Sequence, residues 1–513
     1  MIQFVDTILN SITMYRVVLY GLIIMAVYAV VCGFLGGLSY GGLFLIASVV
    51  VLLVVCFVVN WLFARVFKVG ANVESWAITA LILFFLFMPV SGWSDVWTLV
   101  LAGTIAMASK YVLAINRKHI FNPAAIAAVI LSLNPNTVAL WWVGTPIMLP
   151  VAAIVGFLVV RKIRKFSLFF SFVGASLVGA VVLGVIKGNL TPDLFSEMVL
   201  SGPLIFLGSI MLVEPLTMAP SRRLQVIYGA LVGFLSTLQF QIGPFYPTPE
   251  LALVVGNIFS YIVSPKQRLL LHFKQKQAIA KDTYDFVFEK ILPNPPLIKE
   301  GINYMAGQYM EWTLPHEHPD SRGVRRFFTI ASSPTEEDVR LGVRIGHEAS
   351  SFKRRLMSLR QGDLIVGSGL AGDFVLPDDE KRKLVFIAGG IGVTPFRSMV
   401  GYLAEKGEKR DIILLYFNKS EEEIAYRDIF DKARGEIGLK VFYVLTDREH
   451  VPDGWKGEVG RLDEVMLEKV VPDFRERIFY ISGPNALVNS YRSILLRAGV
   501  RRGSIKSDFF AGY

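Results

Sequence analysis

Charge is distributed so unevenly along this chain that a single fold cannot account for it. Residues 1–265 hold 13 Lys and Arg and 7 Asp and Glu, whereas the remainder hold 39 and 35. A water-facing surface carries charged side chains. The first part therefore reads as a polytopic membrane segment and the second as soluble, and 513 residues exceed what one core organises. The net charge of +10 divides as +6 and +4. The excess of the first part sits in short loops, which makes it an orientation signal rather than a nucleic-acid footprint. No nucleic acid is expected as a partner. Cys32 and Cys56 both lie inside apolar runs, so there is neither an iron–sulfur ligand set nor a disulfide framework. No metal site is expected. The first apolar stretch runs straight into a second, unlike a cleavable signal peptide.

Spanning a bilayer takes roughly 20 apolar residues. Stretches near 17–35, 42–60, 76–92, 96–114, 139–160, 167–186, 198–218, 224–241 and 250–264, with a shorter one at 120–133, predict about ten segments. Arg65 and Lys68, Arg117 and Lys118, Arg161 to Lys165, Arg222 and Arg223, and Lys266 and Arg268 alternate with loops poor in Lys and Arg. The positive-inside rule then predicts cytoplasmic termini, a multi-pass protein of the cell inner (plasma) membrane, and a cytoplasmic second part. Two breaks interrupt the apolar pattern, Phe121-Asn122-Pro123-Ala124-Ala125 and Glu214-Pro215-Leu216-Thr217-Met218-Ala219-Pro220. Broken helices in two halves point to a repeat with a site between the halves. Asn122, Glu214 and Thr217 are its candidate binding residues, although each break can also be a plain loop with Pro in a first helical turn. Glu74 opens an apolar helix, either as a functional carboxylate or as an acid favoured by the helix dipole. His119 is the sole histidine before residue 266, too few to ligate transmembrane haem.

Beyond Pro265 the pattern changes to short alternating strands, such as Tyr284–Glu289, Gly307–Trp312 and Val343–Ile345, which predict a small β-barrel over about 270–376. Within it, Arg325-Arg326-Phe327-Phe328-Thr329-Ile330 presents a cation, rings and a hydroxyl: a charge for a flavin phosphate, an aromatic face for the isoalloxazine, a donor for its edge. Gly346 to Ser350-Ser351-Phe352 leads into a basic helix and offers free backbone N–H groups to an anion, or a simple Ser cap. Gly367-Ser368-Gly369 reads as a closing turn. Next, the apolar strand Leu384–Ala388 meets Gly389-Gly390-Ile391-Gly392-Val393-Thr394-Pro395 and then a helix, the context in which glycines let a backbone approach a pyrophosphate. Further βα units follow, one ending at Ser482-Gly483-Pro484.

Two resemblances build on these residues. The breaks at Asn122 and Glu214, with the Glu74-Ser75 helix start, look like the membrane flavoproteins of two respiratory assemblies, the D subunit of the Rnf complex and the B subunit of the sodium-translocating NADH:quinone oxidoreductase. That likeness implies about ten helices in an inverted repeat and FMN or riboflavin in the membrane. The usual Ser-Gly-Ala-Thr flavinylation motif is replaced by Leu190-Thr191-Pro192 and Ser201-Gly202-Pro203, so a covalent flavin is not expected. The second part resembles the ferredoxin–NADP⁺ reductase superfamily through four motifs in order. By that resemblance Arg326 meets an FAD phosphate, Phe328 (tyrosine in the family) packs on the isoalloxazine with Phe327 beside it, and Thr329 faces N5. Gly346, Ser350 and Ser351 hold phosphate. Gly389, Gly390, Gly392, Thr394 and Pro395, with Gly483 and Pro484, hold NADH or NADPH. Ser482 (cysteine in the family) stands near the nicotinamide, and Tyr513 covers the flavin.

The expected fold is a polytopic α-helical membrane domain at 1–265, a β-barrel FAD domain at 266–378 and an α/β NAD(P) domain at 379–513. The expected function is a membrane-bound oxidoreductase passing electrons from NAD(P)H through FAD to a membrane-domain flavin, a quinone or an extracytoplasmic acceptor. The rival readings are a redox-sensing transporter with a fused reductase and a membrane-anchored flavin or ferric reductase. The acidic run Glu421–Glu423 leans toward NADH, while Lys419 and Arg427 leave NADPH open.

Overall fold

The computed structural model describes residues 5, 9, 12–67, 74–115, 118–188, 198, 203–238, 247–264, 269–290, 304–320, 323–346, 348–449 and 451–508. Tyr513, Thr191, Ser201, Gly202, Lys68, Arg117, Lys266 and Arg268 lie outside them. The chain divides into two compact units, Met1–Ser264 and Pro265–Asp320 with Val324–Phe510.

The first unit is helical. Its helices are α1 (Met14–Phe34), α2 (Gly42–Val66), α3 (Ser75–Leu86), α4 (Trp93–Val112), α5 (Pro123–Leu131), α6 (Leu149–Ile163), α7 (Phe166–Lys187), α8 (Arg222–Leu235) and α9 (Pro249–Val263). Before α8, one helical turn at Leu204–Phe206 continues as a π-helix, Leu207–Met211. Among the described residues only α1, α2 and α7 are long and apolar enough to cross a membrane, not about ten. The count falls for physical reasons. At 1.5 Å per residue, α3, α6, α8 and α9 rise only about 18–22 Å, short of the ~30 Å hydrocarbon core. Helix α4 has the length, but Asp95, Ser109 and Lys110 dilute its hydropathy.

The breaks are internally paired. Helix α3 ends at Phe87, whose extended backbone precedes Met88-Pro89. The Leu86 carbonyl at this break accepts from the N–H groups of Leu140 and Trp141, each at 2.9 Å. Buried backbone groups must be satisfied in this way where a helix stops. Helix α2 packs on α3 and α4, α7 on α8, α4 on α5, α8 on α9, α1 on α6, and α5 on α9.

The second unit holds two sheets. The first comprises β1 (Leu269–Ala280), β2 (Thr283–Lys290), β3 (Tyr309–Thr313), β4 (Arg325–Thr329), β5 (Val339–Arg344) and β6 (Leu364–Ala371). It is antiparallel in the order β4-β3-β6-β1-β2-β5. No ladder joins β4 to β5 among the described residues, so the expected barrel is an open half-barrel. Trp312, Phe286, Phe288 and Phe352 fill it, Phe352 coming from the short helix α10 (Ser351–Met357). Gly367-Ser368-Gly369 is not a turn but part of β6. A Cβ on Gly367 would stand 2.6 Å from the Met310 sulfur, so the glycine there makes room for a core side chain.

The second sheet is parallel: β7 (Leu384–Gly389), β8 (Ile412–Asn418), β9 (Lys440–Leu445), β10 (Glu458–Val459), β11 (Ile478–Ser482) and β12 (Ile505–Ser507), in the order β10-β9-β8-β7-β11-β12. Helices α11 (Thr394–Lys406) and α12 (Arg427–Glu436) cover one face, and α13 (Glu464–Val470) and α14 (Asn485–Arg497) the other. Burial on both faces explains why β7 and β8 are continuous apolar runs.

At the amino-terminal edge of this sheet, Arg477 donates through Nε to Asp473 at 2.5 Å and through Nη1 and Nη2 to Asp411 at 3.0 and 2.9 Å. Lys383 Nζ lies 2.9 Å from Asp473. The Arg477 hydrogen bond holds the Asp473 carboxyl down at about 2. A depressed carboxylate stabilises the fold above its unfolded value and loses that contribution as pH falls through its folded value. Replacing Asp473 with Asn should therefore lower the melting temperature at neutral pH. In thermal melts the gap to wild type should be full above about pH 4 and close as pH falls toward about 2. A gap independent of pH would contradict the pairing.

Candidate functional site

Strand order in the parallel sheet reverses between β7 and β11, and ligands of such sheets bind at the carboxyl ends of the strands flanking that point. Both expected turns emerge there. Gly389 ends β7, Gly390 follows at φ +52°, and Gly392 leads into Thr394 and Pro395 in the first turn of α11. Ser482 ends β11 beside Ala388 in register, and Gly483-Pro484 opens α14. A Cβ on Gly392 would stand 2.5 Å from the Gly483 Cα. The two turns thus touch backbone to backbone, and together they form one cradle with the start of α11 behind it.

The stretch expected to seat a flavin is β4. Alternation places Arg326 and Phe328 on one face, where both meet Phe352. The Arg326 guanidinium lies 5.5 Å from that ring centroid, and the Phe328 ring 5.8 Å from it. Phe327 takes the other face with Thr329 and meets Tyr309 edge-on at 5.7 Å. Arg326 and Thr329 are buried, whereas Phe327 and Phe328 are half-buried. Ser350 caps α10, its hydroxyl accepting from the Lys353 N–H at 3.3 Å. Ser351 Oγ accepts from the Asp320 N–H at 2.9 Å. Gly346 has open space where a Cβ would be, and His347 lies outside the described residues.

What the sequence did not reveal is how these two motifs meet. Just past β4, the Ala331 carbonyl accepts from Arg397 Nη1 at 3.1 Å, and the Ser332 carbonyl from Ser398 Oγ at 2.6 Å. Arg397 and Ser398 belong to α11, the helix that follows the glycine turn. Glu336 pairs with the same Arg397. A Cβ on Gly342 of β5 would lie 2.8 Å from Thr394 Cγ2 and 3.3 Å from Ile391 Cδ1. A second tie is buried: Tyr426 donates to Asp285 at 2.9 Å, and Arg340 pairs with the other Asp285 oxygen at 2.8 Å. Burial and the neighbouring Asp285 charge push the Tyr426 phenol well above its ordinary value. An arginine just inside the helix after a glycine motif is a detectable signal, but its partner 66 residues earlier is not.

The first unit has its own polar cluster. Asn122 caps α5, its Oδ1 accepting from the Ala125 N–H at 3.1 Å, while its Nδ2 donates to Glu214 at 2.9 Å. His119 Nε2 lies 3.1 Å from the other Glu214 oxygen, and Thr217 donates to Glu214 at 3.3 Å. Asn257 Oδ1 accepts from the Asn122 N–H at 2.8 Å, and its Nδ2 donates to Tyr228 at 3.0 Å. Asn122 and Glu214 line a pocket with Ser75 and Thr79 on the polar side and Val18, Ile78 and Val159 on the apolar side. Lys110 lies behind it, donating to Ser75 Oγ at 2.9 Å. Asn257 and Lys110 were missed, although a lone amide and a lone cation inside apolar helices are the available signals. Among the described residues no group of three or more His, Cys, Asp or Glu could hold a metal ion.

Two substitutions test the second unit. Gly392→Ala should force the glycine turns apart and raise the KM for the nicotinamide nucleotide at least tenfold, with the fold retained by circular dichroism. Arg326→Ala should release flavin on gel filtration, and unchanged flavin retention would remove Arg326 from the site.

Residues 386–493 match the family model described as the oxidoreductase NAD-binding domain. The chain is 23% identical over 227 residues to the glycine betaine monooxygenase reductase subunit of Pseudomonas aeruginosa, covering 44% of this chain and 60% of that one. It is 30% identical over 200 residues to the F subunit of the Na(+)-translocating NADH-quinone reductase of Yersinia pestis (36% and 49% covered) and 26% identical over 212 to the flavohemoprotein of Bacillus subtilis (40% and 51%). It thus spans about half the length of the curated relatives it matches. A solved likeness is the cytochrome b5 reductase domain of Ulva prolifera nitrate reductase, with 22% identity, a TM-score of 0.41, and 48% and 98% covered. Residues 386–493 are thus similar to oxidoreductase NAD-binding domains.

Proposed function

We propose that the chain is an NAD(P)H-dependent FAD oxidoreductase that hands electrons to an acceptor held by its helical unit. The observation that carries this reading is the joining of β4's exit to α11. This joining supports a flavin on β4 lying near a nucleotide at the glycine turns, as hydride transfer requires. In this reading 266–378 bind FAD, 379–513 bind the nucleotide, and 1–265 span the membrane.

The residues present fit both groups. Arg326 supplies a buried cation for a phosphate, with Ser350, Ser351 and the open backbone at Gly346 beside it. Phe327 and Phe328 offer ring faces, and Thr329 a hydroxyl for the ring edge. The cradle of Gly389, Gly390, Gly392, Thr394 and Pro395 takes a pyrophosphate on backbone N–H groups. In the same reading Ser482, Gly483 and Pro484 border the nicotinamide, and Tyr513, outside the described residues, covers the flavin. Bound FAD would supply the exchange between two-electron and one-electron chemistry. The chain's task is to align donor and acceptor and to keep water out. NADH suits the site better than NADPH. Glu421 engages Arg427 at 2.5 Å, so one of the two cations that would meet a 2′-phosphate already holds a carboxylate.

For the helical unit, the pairings of α1 with α6 and α5 with α9, flanked by α2–α4 and α7–α8, support a two-fold internal repeat. Asn122, Glu214 and Thr217 then sit between the halves, with a polar rim and apolar walls suited to FMN, riboflavin or a quinone ring. The cytoplasmic side, the bilayer and the inner (plasma) membrane belong to the same proposal.

Full-length protein in detergent should show flavin absorbance that NADH bleaches. Released flavin should number two per chain if the helical unit binds its own, neither covalently attached on a denaturing gel. Glu214→Gln should lower the count toward one while leaving the NADH-bleached flavin in place. A single flavin in both proteins, together with no electron transfer to quinone in proteoliposomes, would reduce the helical unit to an anchor.

A further inference from the structure

The Arg326 seat already holds an anion from the chain itself. Asp320, in the segment between β3 and β4, places Oδ1 2.8 Å from Arg326 Nη2. Its Oδ2 accepts from the Ser351 N–H at 3.3 Å, and its own N–H donates to Ser351 Oγ at 2.9 Å. Arg326 is 6% exposed, so this carboxylate meets a cation largely removed from water. Beside the pair runs a groove of about 540 Å³ between residues 315–318 and α10, with Arg354 and Arg355 on one wall and His316 on the other. The Nε2 of His316 is buried and has no partner among the described residues.

We propose that Asp320 is an internal competitor for the flavin's phosphate, weakening the binding of a flavin that carries phosphate and leaving one that lacks phosphate unaffected. This rests on the FAD reading of the site. The guanidinium and N–H groups that a phosphate oxygen would use are those the carboxylate uses now. One carboxylate brings one charge and two acceptor oxygens. A flavin diphosphate brings two charges and more acceptors, and its nucleotide half can lie in the groove against Arg354 and Arg355. Riboflavin brings no anion to Arg326, so the Asp320–Arg326 pair stays in place when it binds and does not oppose it. Asp320 thus tunes affinity downward only for flavins that carry phosphate.

The test is flavin binding to the full-length protein in detergent after its flavin has been stripped, read by fluorescence quenching with FAD and with riboflavin. Asp320→Asn should tighten FAD roughly five- to tenfold, because it removes a charge-assisted competitor, and should leave riboflavin unchanged. Asp320→Ser should do the same and serves if the asparagine variant folds poorly. Weaker or unchanged FAD binding in both variants would overturn the inference, since the carboxylate would then orient Arg326 for phosphate. Equal tightening of FAD and riboflavin would overturn it too. Wild type that binds riboflavin but not FAD would instead refute the FAD reading, and the competitor with it.

Discussion

A buried arginine joins the two sheets of the second unit. Arg397 leaves the start of α11, reaches the carbonyl just past β4 and pairs with Glu336, and it is itself almost wholly enclosed. An enclosed ion pair of this kind contributes little net stability, because desolvation offsets much of the attraction, but removing one partner costs about 3–5 kcal/mol. Its main effect is on geometry. With Ser398 on Ser332 and Tyr304 on Ser333, it fixes three successive carbonyls of one segment. The placement of β4 relative to the two glycine turns follows from that fixing.

Much of this arrangement was legible in the chain. Runs such as Leu384–Ala388 could only be strands buried on both faces, and a glycine cluster after one of them could only be a turn into a helix. The half-barrel was less legible. Period-two alternation locates strands but says nothing about whether the first and last of them meet, and glycines 367 and 369 look like a turn until Met310 is seen to need the space. Helix lengths in the first unit were overestimated for a related reason. Apolar composition continues through Phe87–Pro89 and Leu140–Val143, where the backbone has already left the helix and pairs with another segment.

The candidate residues divide in the same way. Motif residues close in sequence, such as Gly389 to Pro395, were found because one backbone feature demands them. Residues that work across long separations, such as Arg397, Asp285, Asn257 and Asp320, leave only weak local marks. Asp320 sits in a polar loop where an acid attracts no notice, and its meaning comes from the guanidinium opposite.

The π-helix at Leu207–Met211 has a consequence for insertions and deletions. A π-turn holds one residue more than an α-turn, so everything beyond it is rotated by about 100° relative to a regular helix. Glu214 follows this stretch and meets Asn122 and His119. A one-residue deletion in this stretch would give a more regular helix, yet it would turn the carboxylate away from the pocket. The irregularity acts as a phase setting, and the length of this segment is constrained more tightly than its apolar composition.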